Sequence, residues 1–177
     1  MRPTLARGTD ATPIRKGADL AAPGVSDERL AAWRDLQWAT SLIMGRFARD
    51  LANDDLTLGE FDVLVHLAWA PDGVLPLRAL VASMVTGYQL SRSGLTRLLD
   101  RMERDGLIER TLNSTDRRRF DVAITDRGLE VFDRVWPGHL DGIRRYFSEP
   151  LTGGDVEVLR RVLARLIAVN ETAVQPG

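Results

Sequence analysis

The chain has 177 residues, 44% hydrophobic and 28% charged, with no cysteine, two histidines and a formal net charge of −1. These figures fit a soluble globular protein of one domain with or without a tail, and they exclude disulfides, thiolate metal sites and thiol redox chemistry. No apolar run approaches the ~20 residues that span a bilayer, and the opening MRPTLARGTDATPIRKG lacks the apolar block of a secretory signal, so a cytoplasmic location is expected.

Residues 1–25 mix Pro, Gly, Ala and scattered charge without periodicity, and a flexible tail is expected there. Ser26 is an N-cap candidate for DERLAAWRDLQWATSLIMGRFARDLAN, with acids in its first turn and Leu30, Trp33, Leu36, Ile43, Phe47 and Leu51 marking one long helix. LTLGEFDVLVHLAWA opens a second helix on a capping box, Thr57 with Glu60 three residues on. Its core stripe is read as Phe61, Leu64, Val65 and Ala68, and APDGV then turns the chain.

Leu77, Leu80, Val81 and Met84 fall at i, i+3, i+4 and i+7, and Leu95, Leu98, Leu99 and Met102 repeat that spacing. Between the two helices, Gly87 is placed to end the first in a left-handed residue and Ser91 to cap the second, which makes a helix-turn-helix. GLIERTL and FDVAIT read as antiparallel strands. The NSTDRRR between them is too long for a tight hairpin, so this loop should project. The next helix is expected to bend at Pro137. The last is capped by Thr152 and carries Val156, Val158, Leu159, Val162, Leu163, Leu166, Ile167 and Val169 over more than half its circumference.

The net charge hides a segregation. From Ser91 to Arg119 there are eight arginines against five acids, so this segment carries +3 and the remainder −4. On the helix that Ser91 caps, Ser93, Thr96, Arg97, Asp100, Arg101 and Arg104 lie opposite the leucine stripe, with Arg92 beside them. An arginine fork binds guanine bidentately in the major groove, and Ser or Thr contacts base or phosphate. Three consecutive guanidiniums, Arg117, Arg118 and Arg119, repel one another unless an anion meets them, and arginine is drawn to narrow minor grooves. Asp116 is the expected partner for one of them in the free protein. Helix-turn-helix, strand, basic loop and strand together make a winged helix whose expected partner is double-stranded DNA.

LSRSGLTRLLDRMERDGLIER and DRRRFDVAITDRG resemble the recognition helix and wing signature of the MarR family of bacterial transcription regulators. The likeness is specific over about 86–128, and the order of elements follows the family over roughly 28–170. It implies a mainly α (α+β) fold. Residues 56–125 would form a winged helix-turn-helix lobe with a two-stranded wing, and 26–53 and 126–170 the helices of a dimerisation lobe. It also implies a homodimer on a palindromic operator, with a repressor the commoner role. By position, Asp116 and Arg118 occupy the Asp-x-Arg of the wing, and Ser91, Ser93, Thr96, Arg97 and Arg101 the groove-facing positions of the helix.

Asp62, His66 and Trp69 share one face of the second helix at i, i+4 and i+7. With Trp33 of the first helix they are a candidate pocket for a small aromatic or anionic effector, where the resemblance also places one. A urate-responsive subset of the family is similar at Asp62 and Arg110 but carries an arginine where this chain has Leu98. No G-x-S-x-G, P-loop, G-x-G-x-x-G or H-E-x-x-H is present, so no enzyme activity, cofactor or metal is expected. A winged helix that binds protein and not DNA is the alternative.

Overall fold

The computed structural model describes residues 25–88, 91–113 and 119–174, without the side chains of 85–88, 92 and 171–174. The chain divides between Thr40 and Ser41 into two units. The first, as described, holds the N-terminal half of α1 (Asp27–Ala52), where the Arg29 amide lies 3.4 Å from the Ser26 hydroxyl. In the second unit the chain continues through the end of α1, α2 (Leu58–Ala68), a 3-10 turn (Pro71–Gly73) and β1 (Val74–Pro76). It then forms α3 (Leu77–Tyr88), α4 (Arg92–Arg104), β2 (Ile108–Leu112), β3 (Phe120–Ile124), α5 (Asp126–Ile143) and α6 (Gly153–Val174).

α2 is the hub. Its capping box forms as expected, with the Glu60 amide donating to Thr57 Oγ1 at 3.3 Å and the Thr57 amide to Glu60 Oε2 at 2.8 Å, so two orphan amides of the first turn are satisfied reciprocally. The buried set is Phe61, Val63, Leu64 and Leu67, with Val65 and Ala68 at its margin. The expected stripe was too narrow because α2 packs against α3, α4, α5 and β3, and a helix contacted from several directions buries more than one face.

The sheet has three strands in the order β1-β3-β2, all antiparallel. The wing strands were expected; β1 was not. Three residues are too few to show alternation, and Pro76 argues against a strand unless it lies at an edge, which is where β1 lies, pairing Leu75 with Val122. Val122, opposite both Leu75 and Arg110, has no exposed surface.

One local expectation is corrected. α3 does not end at Gly87 but continues to Tyr88. α5 is helical on both sides of Pro137, whose ring removes one backbone hydrogen bond. It passes into a π turn, Arg144–Ser148, closed by the Glu149 amide on the Arg144 carbonyl at 2.8 Å. Thr152 caps α6 as expected, exchanging hydrogen bonds with Asp155.

The wing is fastened to α5 at one tight junction. Gly106 leaves α4 with φ of +70°, where a side chain is strained. Thr125 donates its hydroxyl to the Gly106 carbonyl at 2.6 Å and accepts the Gly128 amide at 3.0 Å. A Cβ on Gly128 would stand 2.1 Å from the Leu107 carbonyl oxygen, so the close approach of α5 to the wing requires glycine.

Candidate nucleic-acid interface

α4 separates its faces as its spacing predicts. Leu95, Leu98, Leu99 and Met102 are all 8% exposed or less, while Ser93, Thr96, Arg97, Asp100, Arg101 and Arg104 face outward. Ser91 is the N-cap, accepting the Gly94 amide at 3.1 Å, and its hydroxyl lies 3.1 Å from that of Ser93. The backbone of Arg92 begins the helix. No described residue pairs with the Arg97 side chain. Arg101, by contrast, donates from Nε to Glu60 Oε1 at 2.7 Å. Between the start of α2, at Thr57 and Gly59, and Gly94, Arg97, Leu98 and Arg101 of α4 is an open cleft of about 340 Å³.

Arg110 ties the wing to this helix. Its backbone amide donates to Glu103 Oε1 at 3.1 Å, its Nε to Glu103 Oε2 at 2.9 Å and its Nη2 to Asp100 Oδ1 at 2.6 Å. Hydrogen bonding to Arg110 holds the Glu103 carboxyl below the usual range, and the same bond raises the guanidinium. At the outer end of the wing the Asn113 amide donates to the Arg119 carbonyl at 2.9 Å, and Asn113 Nδ2 to Asp121 Oδ2 at 2.8 Å. Arg119 is exposed. Asp116, Arg117 and Arg118 lie outside the described residues, as does the side chain of Arg92.

His66 Nδ1 lies 2.9 Å from the Asp62 carbonyl and 3.5 Å from its Oδ2, an i, i+4 pairing. Trp69 caps α2, is 68% exposed and meets Trp136 edge to face at 5.4 Å. Trp33, in the first unit, is 55% exposed.

Two contacts of this interface went unread in the sequence. Glu60 figured only as a capping residue, and nothing linked it to Arg101, 41 positions away. The Arg110 clamp had a faint signal, an acid-rich helix end followed by a lone arginine on a strand.

The model of the MarR family matches residues 54–119, from the turn before α2 to the end of the wing loop. The HTH-type transcriptional regulator PecS of Dickeya dadantii is 30% identical over 151 residues, which cover 76% of this chain and 87% of that protein. The chain belongs to the MarR family. Solved members from Streptomyces coelicolor share the architecture: AbsC superposes with a TM-score of 0.77 at 26% identity over 84% of this chain and 97% of its own. A second, solved in complex with DNA, gives 0.74 at 26% identity over 86% and 91%. This MarR family chain is thus a transcriptional regulator with a mostly helical winged-helix fold, and among its described residues no helix is long and apolar enough to cross a membrane.

Proposed function

We propose that the protein acts in the cytoplasm as a non-catalytic repressor that binds a pseudo-palindromic operator as a homodimer. Residues 56–125 form the DNA-binding lobe and 26–53 with 126–170 the dimerisation helices. The observation that carries the reading is the face of α4: a Ser91-capped helix N-terminus followed by exposed Ser93, Thr96, Arg97 and Arg101 over a fully buried leucine stripe. That face enters the major groove, where Arg97 reads a base edge and Ser91, Ser93, Thr96 and Arg101 contact base or phosphate. Arg92 and the wing-loop Arg117, Arg118 and Arg119, with Asp116 as their internal counter-charge, meet the adjacent backbone or minor groove. Two-fold symmetry places the two recognition helices about 34–36 Å apart, one turn of duplex.

Dimerisation is supported by apolar side chains left open on α6, with Val158, Leu166, Ile167 and Val169 between 47% and 72% exposed. On α2, the Asp62–His66 pair beside an exposed Trp69 offers one polar and one aromatic surface to a small aromatic or anionic effector.

Arg97→Ala is expected to lose about 1–3 kcal/mol of discrimination between operator and random duplex, while Arg118→Ala weakens both about equally and flattens the salt dependence by about one phosphate. Fluorescence anisotropy at two salt concentrations reads both. Affinity that ignores salt would indicate a protein-binding winged helix, and unchanged binding in both variants would remove the site assignment.

A further inference from the structure

Among the described residues, Glu60 is the only buried charged side chain. A buried carboxylate must be hydrogen-bonded and paired to be tolerated, and this one has three donors: the Thr57 amide at 2.8 Å and hydroxyl at 2.6 Å on Oε2, and Arg101 Nε at 2.7 Å on Oε1. The capping role does not explain the charge, because glutamine completes a capping box as well as glutamate does. The charge is explained by Arg101.

A guanidinium has two hydrogen-bonding edges, one carrying Nε and the other Nη1 and Nη2. Glu60 occupies Nε. No described residue pairs with Nη1 or Nη2, and the side chain remains 45% exposed, at the cleft it shares with Gly94 and Arg97. We infer that Glu60 is a positioning residue for operator recognition: it grips Arg101 by its inner edge so that the outer edge meets the DNA in a fixed orientation. This rests on the operator-binding reading above. Lysine cannot replace the arginine in such an arrangement, because one ammonium has no rigid second edge to aim. An arginine aimed in advance loses less conformational freedom on binding, and it gains most from the sequence whose acceptors match its orientation.

The test compares wild type, Glu60→Gln, Arg101→Lys and the double variant for affinity to operator and to random duplex, with Tm alongside. Glu60→Gln is expected to lower Tm slightly, since the Thr57 bonds persist, and to reduce the operator-to-random ratio about tenfold, the value of one well-aimed arginine. Arg101→Lys should reduce the ratio equally, and the double variant no further. Should Glu60→Gln fail to fold, the drop in ratio for Arg101→Lys at near-native Tm is the expected result, and an unchanged ratio there overturns the inference. A purely structural tether would lower Tm and weaken both duplexes alike with the ratio intact, and that result overturns the assignment. So do losses that multiply in the double variant, since they would mean the two residues act separately. A wild-type protein that binds no duplex overturns the operator reading itself; wild-type operator binding with an unaltered ratio in Glu60→Gln overturns only the positioning role.

Discussion

α4 is rich in leucine and arginine and α6 in valine, leucine and arginine, yet the chain treats them oppositely. In α4 the apolar residues form one narrow stripe and all of it is buried by the chain itself, with Leu95, Leu99 and Met102 at 2% exposure or less. In α6 the apolar residues wrap further than one stripe. Leu159, Val162 and Leu163 are half-buried, while Ile167 is 53% and Val169 72% exposed. What each helix leaves uncovered defines what it can still bind. α4 leaves arginine, serine and threonine, which suit a polyanion; α6 leaves branched aliphatic side chains, which gain only by excluding water against another apolar surface. One helix is finished within a single chain and keeps a polar face for DNA, and the other is left open to the second copy that the proposed homodimer would supply.

The largest expected effect tests the finished helix. Leu99→Ala removes a side chain with 2% exposure from the centre of the core cluster, and it should cost about 2–5 kcal/mol of folding stability. Denaturant unfolding at fixed protein concentration measures it. The matching truncation on α6, Leu166→Ala, starts from 47% exposure and within one chain is worth about 0.5 kcal/mol or less. Any larger loss should therefore depend on protein concentration, the mark of a partner that binds only the folded state. A concentration-independent loss of several kcal/mol at Leu166 would erase the contrast between the helices.

Ile167→Asp sharpens it. An aspartate at a 53% exposed position is harmless in a lone chain but leaves a desolvated charge if a second copy covers it. The dimer should weaken by about 2 kcal/mol or more, read by sedentation equilibrium or light scattering, while the circular dichroism of the helices stays native. Operator affinity should fall with it, because the two recognition helices no longer share one body.

Much of this contrast is legible in residue spacing alone. The stripe and polar face of α4 and the caps at Thr57, Ser91 and Thr152 follow from local rules that act within four residues. The features that escaped depend on distant segments. β1 exists because β3 offers it an edge; the requirement for glycine at 128 comes from the Leu107 carbonyl; and Glu60 meets Arg101 across 41 positions. Pro137 stands inside α5 all the same. A proline disfavours a helix interior locally, but α5 is held by packing against α2, through Phe61 with Phe132 and Trp136, and that tertiary contact outweighs one lost hydrogen bond.

The smallest expected effect separates the polar joint of α4 from its apolar one through pH. Burial pushes the Glu60 carboxyl up, but the hydrogen bonds from Thr57 and the pairing with Arg101 outweigh burial and leave it below its ordinary 4.5. A carboxyl held lower in the folded chain than in the unfolded one stabilises the fold above the ordinary value, and that contribution disappears as pH falls through the folded value. Wild type should therefore be more stable than Glu60→Gln at pH 7, and the two melting curves should draw together as pH falls below 4.5 and through the lowered folded value. His139 adds acid sensitivity of its own. Burial among Phe47, Phe61 and Trp136 holds it below its ordinary 6.5, so stability also falls as that ring is forced to protonate. Both proteins carry His139, and its effect cancels in their difference. A gap between wild type and Glu60→Gln that stayed constant from pH 7 to 3 would mean that the Glu60 charge does not hold α4 to α2, and that the leucine stripe alone fixes the helix in place.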